Sequence, residues 1–354
     1  MSTYESKAYA VLEPNKDLVP HKYQIKSCGP NDAKVRVLYC GICHSDIHMA
    51  KNEWFPGVFP MVPGHEIIGI VDEIGEKVTK VKVGECVGIG CMVDSCGNCD
   101  GCNEKYEQFC PNLSLTYGSK YQNGMTTYGG YGTYVTANEH FLLKIPDNLD
   151  KASAAPLLCA GITVFSPMVK HNMNKPGFKL AVIGLGGLGH MAVKFGVSFG
   201  CEVTVITRSE KKRQDALNMG AKNFIRIDDK ETIGKFRGYF NGVIDTVSSA
   251  KCMEDVLGML SNRGIVVCVG APPTNQMNEF SSMSLILGER TITGSQIGSI
   301  EMTQEMLEYC GKHNITSSIE LIKLNEVNTA YDRVLSSDVK YRFVIDVANS
   351  QNIF

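Results

Sequence analysis

The chain of 354 residues has one tryptophan, no excess of either charge and no long apolar run. Lys and Arg number 35 against 37 Asp and Glu, a formal net charge of −2. A nucleic-acid binder would carry a basic face, and this balance argues against one. No stretch approaches the roughly 18 apolar residues of a membrane span. The opening Met1–Lys7 has no apolar core, so it is not expected to act as a secretory signal, and the cytoplasm is the expected compartment. There is no internal repeat and no low-complexity tract. With 44% hydrophobic and 20% charged residues, the composition is that of a soluble globular protein of about two domains.

Cysteine is what the chain has in plenty, with 14 residues. Disulfides are rare in a reducing compartment, so clustered cysteines point to metal. Cys96, Cys99, Cys102 and Cys110 follow the pattern C-x2-C-x2-C-x7-C, and Gly97, Asn98, Asp100 and Gly101 between them suit a tight loop. Four thiolates with no open position make a closed, structural zinc site. A pair of disulfides, or an iron–sulfur cluster, are the competing readings. A second set is dispersed. Cys43 stands in Gly41-Ile42-Cys43-His44-Ser45-Asp46, His65 in Pro63-Gly64-His65-Glu66, and Cys159 in Pro156-Leu157-Leu158-Cys159-Ala160-Gly161. Two thiolates and one imidazole are the ligand set of a catalytic zinc, which leaves its fourth position open. Glu66 either supports the ligands from outside or binds zinc when water has left. Cys28, Cys40, Cys86, Cys91, Cys201, Cys252, Cys268 and Cys310 lie mostly in apolar runs and read as small buried hydrophobes.

Before about residue 90 the chain reads as short strands punctuated by glycine and proline. Lys34–Cys40 alternates, Ile67–Gly75 carries a strand-pair signal, and Val81–Ile89 continues the pattern. Such strands suggest a β-barrel-like domain. From about Ala152, strand and helix signals alternate, as in a parallel α/β sheet. Strands are expected at Lys179–Ile183, Glu202–Ile206, Gly242–Thr246 and Gly264–Gly270, and a helix at Lys211–Met219. After about Gly294 the chain leaves this sheet, and Tyr341–Asp346 reads as a strand returned to the first domain.

Gly184-Leu185-Gly186-Gly187-Leu188-Gly189 sits between a strand and a helix opening, the context in which G-x-G-x-x-G signals a dinucleotide. Gly184 permits the turn, Gly186 lets the backbone approach a pyrophosphate, and Gly189 lets helix and strand pack. The phosphates are expected on the helix N-terminus. An NAD site usually has an acid about twenty residues on. Here Thr207, Arg208 and Ser209 end the second strand and Lys212 follows. Hydroxyls and cations of this kind suit a ribose phosphate and favour NADP. Lys211 and Arg213 read as a solvated face, and Glu210, a few positions late, is the competing note.

Zinc acts as a Lewis acid on a carbonyl or alcohol oxygen, and the alcohol proton must then leave a buried place. Ser45 and His48 share one local turn with Cys43. Ser45 is the candidate to take the proton and, through a ribose hydroxyl, pass it to His48 as exit base. Asp46 is the candidate carboxylate behind a ligand histidine. His44 either approaches the cofactor phosphates or caps a helix. Trp54 and Phe55 either line an apolar pocket or pack a loop.

Together these residues resemble the zinc-dependent medium-chain dehydrogenase/reductase superfamily, in its cinnamyl alcohol dehydrogenase branch. The resemblance rests on the three ligand segments, the four-cysteine lobe, the run Gly184–Gly189, and Gly294-Ser295-Gln296-Ile297-Gly298-Ser299. It spans essentially the whole chain. It implies a GroES-like, β-rich catalytic domain (residues 1–158 and 298–354) interrupted by a Rossmann doubly wound parallel-sheet domain (159–297), an α/β protein with its active site in the cleft between them. It implies a homodimer, two zinc ions per subunit, and reduction of aromatic or aliphatic aldehydes with NADPH. By match, Thr163 and the Ser295–Ile297 stretch contact the nicotinamide. Thr246 and the Gly187-Leu188 pair are further cofactor candidates. The Ser114–Gly132 loop, rich in Tyr and Gly, does not fix a substrate. A polyol dehydrogenase and a catalytically silent NADP-binding protein are the alternative readings.

Overall fold

The computed structural model describes residues 3–54, 56–249 and 252–353. The chain forms two compact units, Met1–Ile162 with Gly298–Phe354, and Thr163–Ile297. The first is built on a seven-stranded mixed sheet. Its longest strand, Asp32–Gly41, buries Ala33, Val35 and Val37 on one face, as period-two alternation requires. It pairs antiparallel with Ile67–Ile74 along one edge, and with Tyr134–Asn138 and Arg342–Asp346 along the other. The last pairing returns the C-terminal segment to the first unit. Val35, Val37, Ile67, Val71, Val87, Phe343 and Ile345 share one core, each contributing on the order of 1.5–3 kcal/mol by burial.

Two expectations need correction. Ile67–Gly75 is not a strand pair but one strand, Ile67–Ile74. Its Gly69 does not turn the chain; a Cβ there would lie 2.4 Å from the Arg36 carbonyl oxygen, so the glycine permits strands to close on each other. The strand read from Val81 begins only at Cys86, because Gly84, with φ +91°, makes the turn before it.

The second unit is a six-stranded sheet whose pairs are all parallel. Numbered along the chain, its strands are Lys179–Ile183, Glu202–Thr207, Asn223–Arg226, Phe240–Asp245, Leu260–Cys268 and Thr291–Gly294. Across the sheet they run 3-2-1-4-5-6, the doubly wound order that binds a dinucleotide where the order reverses. Ile183, Ile206, Val243 and Val266 are buried in one core, which is why these strands read as continuous apolar runs. The helix expected over Lys211–Met219 is shorter, Arg213–Asn218, after a 3-10 turn at Glu210–Lys212. Among the described residues no single helix is long and apolar enough to cross a membrane.

Candidate active site

Cys43 immediately precedes the helix His44–Ala50. The helix starts there because the Cys43 N–H donates to Asp46 Oδ2 at 2.8 Å, an acidic side chain satisfying a free N-terminal donor. The other Asp46 oxygen accepts from His65 Nδ1 at 3.1 Å and from the Gly64 N–H at 3.2 Å. One fully buried carboxylate thus holds two of the three ligand segments. Cys159 follows a 3-10 turn at Ala155–Leu158. Its sulfur lies 3.9 Å from that of Cys43. Two thiolates about 2.3 Å from a tetrahedral zinc would be roughly 3.8 Å apart, so the spacing fits the ion. Cys43, His65, Glu66 and Cys159 offer donor atoms all within 4.8 Å of one another, and all four are buried.

The electrostatics suit a cation. A hydrogen bond from Cys159 holds the Cys43 thiol well below its ordinary range, with Arg342 and His65 assisting against burial. Burial opposes charging of His65, but the sulfur of Cys91 and the carboxylate of Asp46 outweigh it and raise its pKa. Burial pushes Glu66 up to about 8, opposed by Arg342. Arg342, itself buried, donates to Glu66 Oε1, while Glu66 Oε2 has no hydrogen-bond partner among the described residues. That unpartnered oxygen, among the ligand atoms, also fits a cation. A Cβ on Gly41 would meet it at 2.0 Å, so the glycine is needed where the carboxylate passes.

Ser45 Oγ lies 3.4 Å from the Cys43 sulfur. His48, buried, has Nδ1 2.5 Å from Glu53 Oε2 and its ring 4.7 Å from that of Trp54. Among the described residues, His48 Nε2 is buried without a partner. With Nδ1 carrying its hydrogen toward the carboxylate, Nε2 presents a lone pair. His44 is tilted against His48, ring centroids 4.9 Å apart. Phe55 lies outside the described residues. Trp54, His48's stacking partner, also packs against the cluster of Met49, Met61 and Tyr117.

The four-cysteine segment brings its sulfurs together in the same unit. Cys99 to Cys102 and Cys110 to Cys96 are each 3.5 Å, and Cys96 to Cys102 is 4.0 Å. A disulfide needs about 2.05 Å, so these are four free thiols around one centre. Gly97 makes the turn with φ +70°. A hydrogen bond from the Asn98 backbone brings Cys96 down to about 6.

In the second unit Gly184 has φ +88°, and a Cβ there would meet Thr246 Oγ1 at 2.7 Å. Thr246 donates to the Ile183 carbonyl at 2.8 Å, so it buttresses the turn from below. A Cβ on Gly189 would lie 2.0 Å from the Gly184 oxygen, whereas one on Gly186 would meet nothing within 4 Å. The space beside Gly186 is what a pyrophosphate approaching the backbone requires. Gly187 and Leu188 lead into the helix Gly189–Ser198. Thr207 and Ser209 are half-buried and Arg208 is exposed. Lys212 folds back, its Nζ donating to the Leu185 carbonyl at 2.7 Å. Glu210 pairs with Arg213 and so is engaged on the solvent side. Thr163 is buried on the helix Ala160–Lys170, and Ile297 has φ +37°, a conformation costly for a β-branched residue.

Family comparisons agree with this chemistry. Residues 29–147 match the alcohol dehydrogenase GroES-like domain, and residues 187–312 match the zinc-binding dehydrogenase domain. Cinnamyl alcohol dehydrogenase 8 of Arabidopsis thaliana is 51% identical over 334 residues, 94% of this chain and 92% of that protein. The chain belongs to the zinc-dependent alcohol dehydrogenase family. A probable mannitol dehydrogenase of Mesembryanthemum crystallinum is 47% identical over 97% of this chain and 94% of its own length. The crystal structure of CAD from Helicobacter pylori complexed with NADP(H) superposes with a TM-score of 0.93 at 39% identity, covering 99% of this chain and 100% of that one.

As a zinc-dependent alcohol dehydrogenase, the chain is an oxidoreductase with a GroES-like domain and a nucleotide-binding parallel sheet. Sequence reading missed or misread five residues around the buried cluster and His48. Arg342 opens the strand Arg342–Asp346, and a cation at the head of an apolar run was the available signal. Glu53, five residues after His48, carried none. Tyr117 stacks on His65 at 5.7 Å, and Tyr131 donates to Asp46 at 3.0 Å; both come from the Tyr-rich loop that had been given no role. Cys91 is not a bland hydrophobe. It is half-buried, and a hydrogen bond with Cys159, assisted by His65, draws its thiol down to about 6.

Proposed function

We propose that the enzyme reduces aromatic and aliphatic aldehydes to primary alcohols with NADPH, and catalyses the reverse. The observation that carries this is the placing of Ser45 and His48 on the helix that begins at the ligand Cys43. Cys43, His65 and Cys159 hold the catalytic zinc, and Cys96, Cys99, Cys102 and Cys110 a structural one. When bound, the catalytic ion supplies a Lewis acid for the substrate oxygen. Ser45 Oγ, against the Cys43 sulfur, holds the proton at that oxygen. Glu53 fixes the His48 tautomer, leaving Nε2 to exchange the proton at the outer end. Asp46 orients His65, and Glu66, tied to Arg342, stands as a reserve ligand.

Gly184, Gly186, Gly187, Leu188 and Gly189 bind the pyrophosphate, and Thr207, Arg208, Ser209 and Lys212 bind the ribose phosphate of NADP. The lack of an acid at Thr207 and Arg208, and the diversion of Glu210 to Arg213, support NADP over NAD. The Helicobacter pylori protein named above was crystallised with NADP(H). Thr163, Thr246, Ser295 and Ile297 complete the cofactor site. The left-handed Ile297 supports this, since backbone strain gathers at functional positions.

Polyol oxidation is the second reading, favoured by the probable mannitol dehydrogenase among the relatives. The apolar cluster of Met49, Met61 and Tyr117 with Trp54 packed against it, next to His48, favours an aldehyde over a polyol. The test is initial rate with cinnamaldehyde and benzaldehyde using NADPH and NADH side by side, and with mannitol using NADP+ and NAD+. Fast aldehyde reduction with NADPH supports the reading; faster mannitol oxidation would replace it.

The proposed assembly is a homodimer in the cytoplasm. Among the described residues, strand Thr291–Gly294 ends the six-stranded sheet with its outer edge open. Nearby in sequence, Met283, Ile286 and Leu287 are 54%, 66% and 75% exposed, and apolar surface beside an open edge suits a second copy. A charge introduced at Ile286 (I286E) should give monomer in analytical ultracentrifugation.

A further inference from the structure

The Asp46 carboxylate is completely buried, and among the described residues at least four donors reach it. Cys43 N–H, Gly64 N–H and His65 Nδ1 belong to the ligand segments. The fourth is Tyr131, whose hydroxyl donates to Asp46 Oδ2 at 3.0 Å. Behind it, Tyr331 donates to the Tyr131 oxygen at 3.5 Å, with the rings edge-on at 6.4 Å. A buried chain of hydrogen bonds thus runs from Tyr331 through Tyr131 and Asp46 to His65.

Tyr131 is also fixed to the ligand loop by its backbone. Gly129, Gly130 and Tyr131 donate to the carbonyls of Val62, Gly64 and Pro63 at 2.8, 2.9 and 3.0 Å. Gly64, at φ +103°, leaves room for the Tyr131 ring, since a Cβ there would lie 2.6 Å from Tyr131 Cδ1. The ring therefore packs on the residue before His65 while its hydroxyl grips the carboxylate behind His65. Burial pushes both phenols far above their ordinary range, so they act as neutral donors.

We propose that Tyr131 and Tyr331 are positioning residues that set the strength and direction of His65 as a metal ligand. A carboxylate that holds the second ring N–H of a ligand histidine fixes its orientation and raises its basicity. A donor on that carboxylate fixes its position, and with it the direction in which the histidine ring is held. Tyr131 is that donor, and Tyr331 holds the Tyr131 hydroxyl toward Asp46. Without Tyr131, Asp46 leans on fewer donors, and His65 loses one restraint on its ring. The inference rests on His65 being a ligand of the catalytic zinc.

The test uses the full-length enzyme with cobalt(II) in place of zinc. The catalytic ion's absorption is defined as the part lost in Cys43→Ser. In Tyr131→Phe its visible bands should shift, and loss of the catalytic metal to a chelator should quicken about tenfold, the lower end for outer partners of a ligand histidine. Tyr331→Phe should shift both in the same direction by less, and serves if Tyr131→Phe does not fold. Tyr121→Phe is the control, because its buried hydroxyl donates to the Thr136 carbonyl instead; it should leave both unmoved. Unchanged bands and metal loss in the two variants would overturn the proposal, even if their melting temperatures fall. If Cys43→Ser removes no absorption, the ligand assignment fails rather than the relay.

Discussion

The two sulfur clusters of the first unit are built in opposite ways. Cys96, Cys99, Cys102 and Cys110 come from one loop, three of them half-buried, and the short helix Asp100–Asn103 within it buries none of its residues. Cys43, His65 and Cys159 come from three remote segments, all buried. The loop has almost no apolar core, so the ion must supply what burial supplies elsewhere. The buried cluster is held by the sheet, by Asp46 and by the Arg342–Glu66 pair. Its ligands are therefore positioned before an ion arrives. On the proposed assignment, the loop cluster depends on its metal for order, whereas the buried cluster is arranged by protein contacts alone.

The largest effect should come from breaking the buried cluster. Cys43→Ser should lower kcat by at least about a thousandfold, or roughly 4 kcal/mol of barrier, with zinc content falling from two per chain to one. NADPH affinity, read by fluorescence quenching, should hold, and so should the melting temperature within a few degrees. A collapse of the fold would show that this cluster, too, depends on its metal. Cys99→Ser should reverse the pattern. The lobe's zinc should be lost with about 3 kcal/mol of stability, or on the order of 6–12 °C in the apparent midpoint. Turnover at low temperature should persist within about threefold. If Cys99→Ser abolished turnover in folded protein, the lobe would belong to the catalytic machinery.

A third variant asks whether both clusters are indifferent to the nucleotide-binding unit. Arg208→Ala should raise KM for NADPH about ten- to a hundredfold, the worth of a charge-assisted contact. KM for NADH should stay put, and so should both zinc ions. An equal rise for both nucleotides would remove Arg208 from the phosphate site.

The same contrast explains what could be read from the chain alone. The grouping of the lobe's four thiols was legible because Cys96, Cys99, Cys102, Cys110 and the turning Gly97 are close in sequence. The nucleotide turn was legible for the same reason: Gly184, Gly186 and Gly189 act within one strand-to-helix connection. The dispersed ligands were legible only as motifs. Nothing local in Cys159 says that its sulfur will come within 3.9 Å of Cys43. Their supporting residues were not legible at all. Arg342 reaches Glu66 because the final strand pairs with Asp32–Gly41, and Tyr131 reaches Asp46 because residues 129–131 pair with the ligand loop. Such contacts depend on which remote segments meet, which the local pattern of either segment does not state. Gly69 was misread for a related reason. A glycine that admits a neighbouring strand and one that turns the chain look alike until the neighbour is known.

The smallest effect tests whether the lobe is a separate module or part of the unit. Glu107, buried, lies between the third and fourth cysteines. Its carboxylate takes His140 Nε2 at 2.7 Å and the Ile300 N–H at 3.3 Å, so it docks the lobe on the N-terminus of the helix Ile300–His313. A second link, Lys105 to Glu301 at 2.7 Å, joins two side chains more than half exposed. Exposed pairs contribute little, so Lys105→Ala should change neither melting temperature nor zinc retention measurably. Glu107→Gln keeps the shape but weakens a charged acceptor, and should cost about 1 kcal/mol. If docking helps hold the lobe's ion, zinc loss to a chelator should quicken severalfold in Glu107→Gln, from the lobe and not from the buried cluster. Equal retention in the two variants would mean that the loop holds its metal alone, and the contrast between the clusters would be sharper still.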